Sequence, residues 1–412
     1  LKNQFVYGPF WEAQRQAAVN PATESDWKER FERSSVEALN CLSRKKVPEL
    51  LALTLERLSV LQEQVMKEKR VNAALVLRLK LMAGLNISEK RLPQDGRFNV
   101  RVKGRSIDVR VSTMPVQYGE SVVMRLLDQS EGLLNLESTG MPPKLLERFR
   151  KLIKKPHGLV LVTGPTGSGK TTTLYGALSE LNNAEVKIIT AEDPVEYRLP
   201  RITQVQVNPK IGLEFSSILR SALRQDPDVI LVGEMRDQET AEIGLRAAMT
   251  GHLVLSTLHT NDSISSAMRL IDMGAEPFLV ASSLLGVVAQ RLVRRVCDNC
   301  KETYEPSQQE QIWLQSFDLD PLDMEAGFVK GRGCYQCSNT GYRGRVGVYE
   351  MLEMDEDMLD ALRRRDVSDF TRAARRSPLF RPLGQCAMDY ALQGVTSLQE
   401  VARVTATSEG AS

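Results

Sequence analysis

The stretch "GPTGSGKT", Gly164 to Thr171, constrains this chain more than any other eight residues in it. It follows a short apolar run, "GLVLVTG", and leads into "GKTTTLYGALSEL", a run of helical character. Gly167 and Gly169 lack a Cβ, so backbone N–H groups can curl around an anion there. The positive end of the following helix favours negative charge at the same place. A strand, a turn matching GxxxxGK[ST] and a helix together make a phosphate cradle, the P-loop context. Its residues are Gly164, Pro165, Thr166, Gly167, Ser168, Gly169, Lys170, Thr171 and Thr172. Lys170 reaches for the β- and γ-phosphates, and Thr171 is the residue type that ligates Mg²⁺. A chance glycine turn is the alternative, and the strand–helix setting argues against it. Nothing like an NKxD guanine reader occurs, which points to ATP rather than GTP.

The flanking sequence extends the alternation. "KIITAEDPVEY" reads as a strand running into a loop, "SILRSALRQ" as a helix, "DVILVGEM" as a strand, "ETAEIGLRAAMTG" as a helix and "HLVLSTLH" as a strand. Short apolar strands between helices predict a doubly wound α/β core. Upstream the period changes. "ALVLRLKLMAGL", Ala74–Leu85, reads as a buried helix ended near Gly84. Phe98, Val100 and Val102 alternate, then Ile107, Val109 and Val111, around Lys103-Gly104. That predicts a two-stranded hairpin with one buried face. Ser121–Asp128 reads as a third strand. The chain thus divides into a helical segment at 1–45, a smaller α+β domain at 46–132, a linker at 133–140 and the α/β domain at 141–412. The last includes a cysteine element at 297–337 and a helical tail at 355–412, where Ser397 and Glu400 stand at capping-box spacing.

With 412 residues, two or three domains can each bury a core. Net charge +2 is too near balance for a nucleic-acid or polyanion binder. The longest apolar stretch, from Pro277, is broken by serines and too short to span a membrane. No secretory signal is present, and the chain opens at Leu1 rather than Met, as a fragment does. A cytoplasmic setting with reduced thiols is expected.

Hydrolysis needs a group to orient water and another to hold the metal. Glu234 ends the "DVILVGE" strand where a P-loop protein places its acidic residue, but Gly233 precedes it, so the usual Asp-Glu pair is absent. "AEDPVEY" offers Glu192, Asp193 and Glu196 near the next strand end. A solvated loop is the other reading of these three, and Glu196 is the choice among them for activating water. The histidines are His157, His252 and His259. His259 lies at the far end of its strand, where ligands of open α/β sheets bind. It is read as a γ-phosphate sensor, against the alternative of a hydrogen-bonded structural residue. Four of the six cysteines form two CxxC pairs, Cys297/Cys300 and Cys334/Cys337, which suggest a metal site or a redox motif before disulfides. Cys41 and Cys386 read as ordinary buried residues.

"GPTGSGKTTTLY", "AEDPVEY", "LRSALRQDPDVILVGEMRD" and "GHLVLSTLHTND" occur in this order and resemble the Walker A, Asp, Walker B and His boxes of the secretion ATPases, the hexameric motors of type II secretion and type IV pilus assembly. "LPQDGRFNVRV…DVRVSTMP…GESVVMRLLD" resembles the PAS-like domain that precedes the motor in that family. The resemblance runs from about Arg70 to the C-terminus and implies a RecA-like ATPase domain behind a PAS-like one. It implies active sites closed between subunits by arginines: Arg97, Arg110 and Arg125 upstream, and Arg220, Arg224 and Arg236 in the motor, with exposed solubilising arginines as the alternative. It also implies an inner-membrane platform protein as partner, and a zinc element held by Cys297, Cys300, Cys334 and Cys337. The 33 residues between Cys300 and Cys334 exceed zinc-ribbon spacing, and free thiols are the alternative. Pilus assembly (MSHA-like or PilB-like) is placed ahead of type II secretion (GspE-like). A nucleic-acid translocase is the runner-up, and a nucleotide-binding scaffold without turnover is third. The family's acidic-His-acidic segment is missing before Ala74, and residues 1–45 lack the Leu-rich motif associated with cyclic di-GMP, so that ligand is not expected.

Overall fold

The computed structural model describes residues 73–102, 105–117, 119–128, 135–317 and 327–409. The expectations for residues 1–45, and Cys41 with them, lie outside these. The chain separates into two units, 1–131 and 132–412.

In the first unit a helix, α1 (Ala73–Met82), packs on an antiparallel sheet of β1 (Gln94–Val102), β2 (Arg105–Val116) and β3 (Gly119–Asp128). Val102 pairs with Arg105, the register of a tight hairpin, as the alternation requires. Val109 and Val111 are buried on the helix-facing side. The helix is half-buried rather than buried: Val76 and Leu79 face in while Leu75 and Leu81 are exposed. Its inner face carries Lys80, fully buried, which forms an ion pair with Glu120 and donates to Glu89 O at 2.7 Å. Gly84, at φ +67, ends the helix region in a conformation that favours glycine.

The second unit is built on a seven-stranded sheet. Its chain order runs α2 (Pro143–Ile153), β4 (Gly158–Thr163), α3 (Lys170–Leu181), β5 (Ile188–Glu192), β6 (Thr203–Gln206), α4 (Phe215–Ala222), β7 (Val229–Val232), α5 (Gln238–Met249), β8 (Leu253–Leu258), α6 (Ser263–Asp272), α7 (Pro277–Ser283) and β9 (Leu284–Val296). There follow β10 (Lys301–Tyr304), α8 (Gln308–Leu314), β11 (Phe328–Gly331), β12 (Tyr342–Glu353), α9 (Glu356–Arg363), α10 (Val367–Arg376), α11 (Leu383–Leu392) and α12 (Leu398–Glu409). The strand order is β12-β9-β4-β8-β7-β5-β6, parallel except for the antiparallel edge strand β12.

All six residues of β4 are buried, and they alternate between two cores. Val160 and Val162 join Leu146, Phe149, Leu152 and Ile153 of α2 and the apolar residues of α3. Leu159 and Leu161 join the core beneath α4, α5, α6 and α7. Each large apolar side chain so buried contributes about 1.5–3 kcal/mol, which is why a central strand reads as a continuous apolar run. The stretch expected to be a linker, 133–140, contributes Leu136, fully buried against that first core, because a short 3₁₀ turn at Leu136–Thr139 lays it over Gly176 of α3.

Candidate active site

From β4 the chain moves to β5 on one side; from β8 it crosses to β9 on the other. The strand order therefore reverses between β4 and β8, and their carboxyl ends flank the crevice where open α/β sheets bind ligands. Thr163 at the end of β4 bridges it: Thr260 N donates to Thr163 Oγ1 at 3.1 Å, and Thr163 Oγ1 donates to Leu258 O at the same distance.

The P-loop lies at the end of β4. Gly164, Gly167 and Gly169 have φ of +143, +80 and +89. A Cβ on Gly164 would meet Gln290 O at 2.3 Å, and one on Gly169 would meet Gln290 Nε2 at 2.8 Å, while Gly167 faces open space. Gly164 is thus required by packing against the β9 backbone and Gly169 by its positive φ, while Gly167 leaves room for a ligand. Lys170 is buried and donates to Gly164 O at 2.7 Å and Pro165 O at 3.2 Å. Burial pushes its ammonium down to about 8, Glu234 opposes this and the charge of Arg291 adds to it. The buried Ser168 hydroxyl has no hydrogen-bond partner. A phosphate would fit this cradle: it would supply the acceptor that the Ser168 hydroxyl lacks and the negative charge that the buried Lys170 lacks. Thr171 is exposed at the start of α3, as a Mg²⁺ ligand must be.

Glu234 follows β7, in a turn fixed on both sides. Gly233 N donates to Ala191 O at 2.7 Å, and Thr257 Oγ1 donates to Gly233 O at 2.7 Å. A Cβ on Gly233 would stand 3.1 Å from Ala191 O, so an aspartate completing the usual pair would crowd that carbonyl. The Glu234 side chain, 13% exposed, is ion-paired with Arg236 and lies 3.3 Å from His259 Nε2. Arg236 also reaches Asp193 at 3.9 Å. Glu234, His259, Arg236 and Asp193, from three separate strand ends, thus form one cluster.

Other candidates fall elsewhere. Glu192 is buried under Tyr175, accepting from its hydroxyl, from Thr190 Oγ1 at 2.5 Å and from Gln204 Nε2 at 3.1 Å. Burial, with the Glu192 charge behind it, pushes the Tyr175 hydroxyl above its usual range. Glu192 is therefore structural. Glu196 follows, its backbone N–H donating to the same hydroxyl at 3.3 Å. Arg220 pairs with Glu239 at 2.5 Å and Arg224 donates to Ser221 at 3.2 Å, neither reaching Glu234. His252 sits at the opposite end of β8, its Nδ1 3.0 Å from Ala247 O. In the first unit, Arg97 is paired in register with Arg110, and Arg110 with Arg125, so the three stand in one row across the sheet. Sequence reasoning missed Gln290, which accepts from Thr173 Oγ1 at 2.8 Å beneath the P-loop helix.

The four cysteine sulfurs lie within 4.8 Å of one another. Cys297–Cys334, Cys300–Cys337 and Cys334–Cys337 are separated by 3.9, 3.8 and 3.7 Å. A tetrahedron of Zn–S bonds near 2.3 Å has edges of about 3.8 Å. Backbone N–H groups of Gly333 and Gly341 donate to Cys300 and Cys337 sulfurs, each at 3.3 Å, which favours thiolates. The 33 intervening residues do not stretch the site, because β10 and β11 pair antiparallel and bring both knuckles back together.

A parallel sheet with a phosphate cradle at its switch point and an acidic residue on a neighbouring strand end defines a P-loop nucleotide hydrolase. Residues 49–403 match the family model described as "Type II/IV secretion system protein". The type II secretion system ATPase E of Vibrio cholerae is 49% identical over 346 residues, covering 84% of this chain and 68% of that protein. The type II secretion system protein HxcR of Pseudomonas aeruginosa is also 49% identical, covering 84% and 69%. Among solved structures, the pilus retraction motor PilT with bound ADP aligns with TM-score 0.55 and 28% identity over 75% of this chain and 77% of its own. The Legionella pneumophila ATPase DotB, at 22% identity, shares the fold with TM-score 0.59, covering 82% and 85%. The chain belongs to the type II/IV secretion system protein family. It is a secretion motor ATPase, an ATP hydrolase.

Proposed function

We propose that the chain powers type II secretion as a hexamer at the cytoplasmic face of the inner membrane, turning ATP hydrolysis into mechanical work on a platform protein that assembles a pseudopilus. The pilus-assembly version placed first on sequence yields to this one, because the relatives at 49% identity bear type II secretion names. Among the described residues no helix is long and apolar enough to cross a membrane, which is consistent with docking through a partner.

The observation that carries the site assignment is the pairing of Glu234 with His259 beside the P-loop. Gly164 to Thr172 hold the nucleotide phosphates, and Lys170 leaves its loop carbonyls for them. Thr171 holds Mg²⁺, which supplies charge neutralisation of the phosphates. Glu234 orients the attacking water with Glu196 in support, and His259 senses the γ-phosphate through its contact with Glu234. Arg236 neutralises developing charge within the subunit, and Arg220 and Arg224 serve at the subunit edge. Arg97, Arg110 and Arg125 supply charge to a neighbouring protomer. The first unit is read as the PAS-like domain, and the four cysteines as a structural Zn²⁺ site.

ATPase rate against oligomeric state tests this in wild type, Glu234→Gln and Arg110→Ala. Glu234→Gln should lower kcat by about 10²–10³-fold with nucleotide binding retained. Activity confined to hexamers and lost in Arg110→Ala supports completion across subunits. Equal hydrolysis by monomers would refute it.

A further inference from the structure

Arg291 is a buried charge that neither the P-loop nor the Glu234 cluster uses. It follows Gln290 on β9, and successive strand residues face opposite sides of a sheet. Gln290 turns to the P-loop helix, whereas Arg291 turns to the segment after β8. Its Nη2 donates to Asn261 Oδ1 at 3.0 Å and lies 3.3 Å from Asn261 O. The residue is 5% exposed, and its Nε and Nη1 have no hydrogen-bond partner. A buried guanidinium with two unpartnered nitrogens is destabilising, and native folds rarely retain one without use. Burial lowers its proton affinity; Asp262 and Glu350 oppose that, and Arg403 adds to it.

The segment that Arg291 touches is held from three strands by side chains. From β4, Thr163 bonds Thr260. From β9, Arg291 bonds Asn261. From β12, the buried Glu350 accepts from Ser263 N at 2.7 Å, and its other oxygen accepts from Leu383 N at 2.8 Å. His259 immediately precedes this segment.

We propose that Arg291 is a positioning residue for hydrolysis, holding the Thr260–Asp262 turn, and through it the His259–Glu234 contact, in register with the P-loop. This rests on the reading of Glu234 and His259 as the hydrolytic pair.

The test is steady-state ATPase kinetics and binding of a fluorescent ATP analogue in Arg291→Gln, Asn261→Ala, the double variant and Glu234→Gln, with thermal midpoints. Each single variant should lower kcat on the order of tenfold, with KM and analogue affinity within about twofold. The double variant should be no slower than the slower single one, because one tie is broken twice. Arg291→Gln should melt no lower than wild type, since a half-satisfied buried charge is removed. Wild-type kcat in Arg291→Gln, multiplying losses in the double variant, or a kcat loss that tracks a lowered melting point would each overturn the proposal. If Arg291→Gln does not fold, Asn261→Ala decides, because it breaks the same tie at a half-buried turn. Full activity in Glu234→Gln would instead overturn the reading of the site; an inactive Glu234→Gln beside a wild-type Arg291→Gln would refute only this inference.

Discussion

Lys170 donates to two carbonyls of its own loop while burial pushes its ammonium down to about 8. A bound phosphate reverses that shift, because it supplies the charge that burial withholds. The sign follows from linkage. Below about pH 8 the ammonium is already charged, and binding an anion takes up no proton. Above it, the free protein must acquire one, so affinity falls as pH rises. Titration with a fluorescent ADP should show affinity nearly constant up to about pH 7.5 and several-fold weaker by about pH 9. A flat profile across that range would mean that Lys170 stays charged in the free protein.

At the scale of elements, α1 and β3 are joined by the buried Lys80–Glu120 pair. Removing one partner strands a buried charge at a cost of about 3–5 kcal/mol. Lys80→Met should therefore shift the denaturation of the first unit to lower urea, and adding Glu120→Leu should restore much of the loss. Chemical denaturation of the three proteins checks this; equal curves would show the pair to be inert. Elements of this kind differ in how much the sequence discloses. The P-loop and Glu234 were legible because their signals are local: a motif in a strand–helix setting, and an acid at the end of an apolar run. Leu136 reads as linker in the sequence because its partner, Gly176, lies 40 residues on, and only the folded chain brings them together. Ser397 and Glu400 have capping-box spacing, yet Glu400 accepts from Arg294 N at 2.8 Å and Ser397 bonds the Tyr342 hydroxyl at 2.7 Å. A tertiary partner won over the local one. Gln290, Arg291 and Glu350 carry no motif; their meaning lies in what faces them across strands.

For the whole molecule, the C-terminal strands and helices form a third core around Phe328, Val348, Leu383 and Val401, next to the cysteine cluster. If Zn²⁺ is structural there, purified protein should contain about one zinc per chain by elemental analysis. Chelation, or Cys334→Ser, should lower the melting midpoint by about 5 °C or more, with the P-loop still binding nucleotide. Metal-free protein of unchanged stability would exclude a structural role for the ion.

The hairpin of β10 and β11 has a practical consequence for engineering. Pairing of Lys301 with Gly331 through Tyr304 with Phe328 fixes the cysteine knuckles from within, while α8 beyond that ladder is anchored separately by Leu314 in the third core. Each doubling of such a loop adds only about 0.6 kcal/mol of closure entropy. The exposed Glu305, between that ladder and α8, is thus a place to splice in an epitope or a fluorescent reporter, giving a labelled motor whose thiol cluster and nucleotide cradle keep their native spacing.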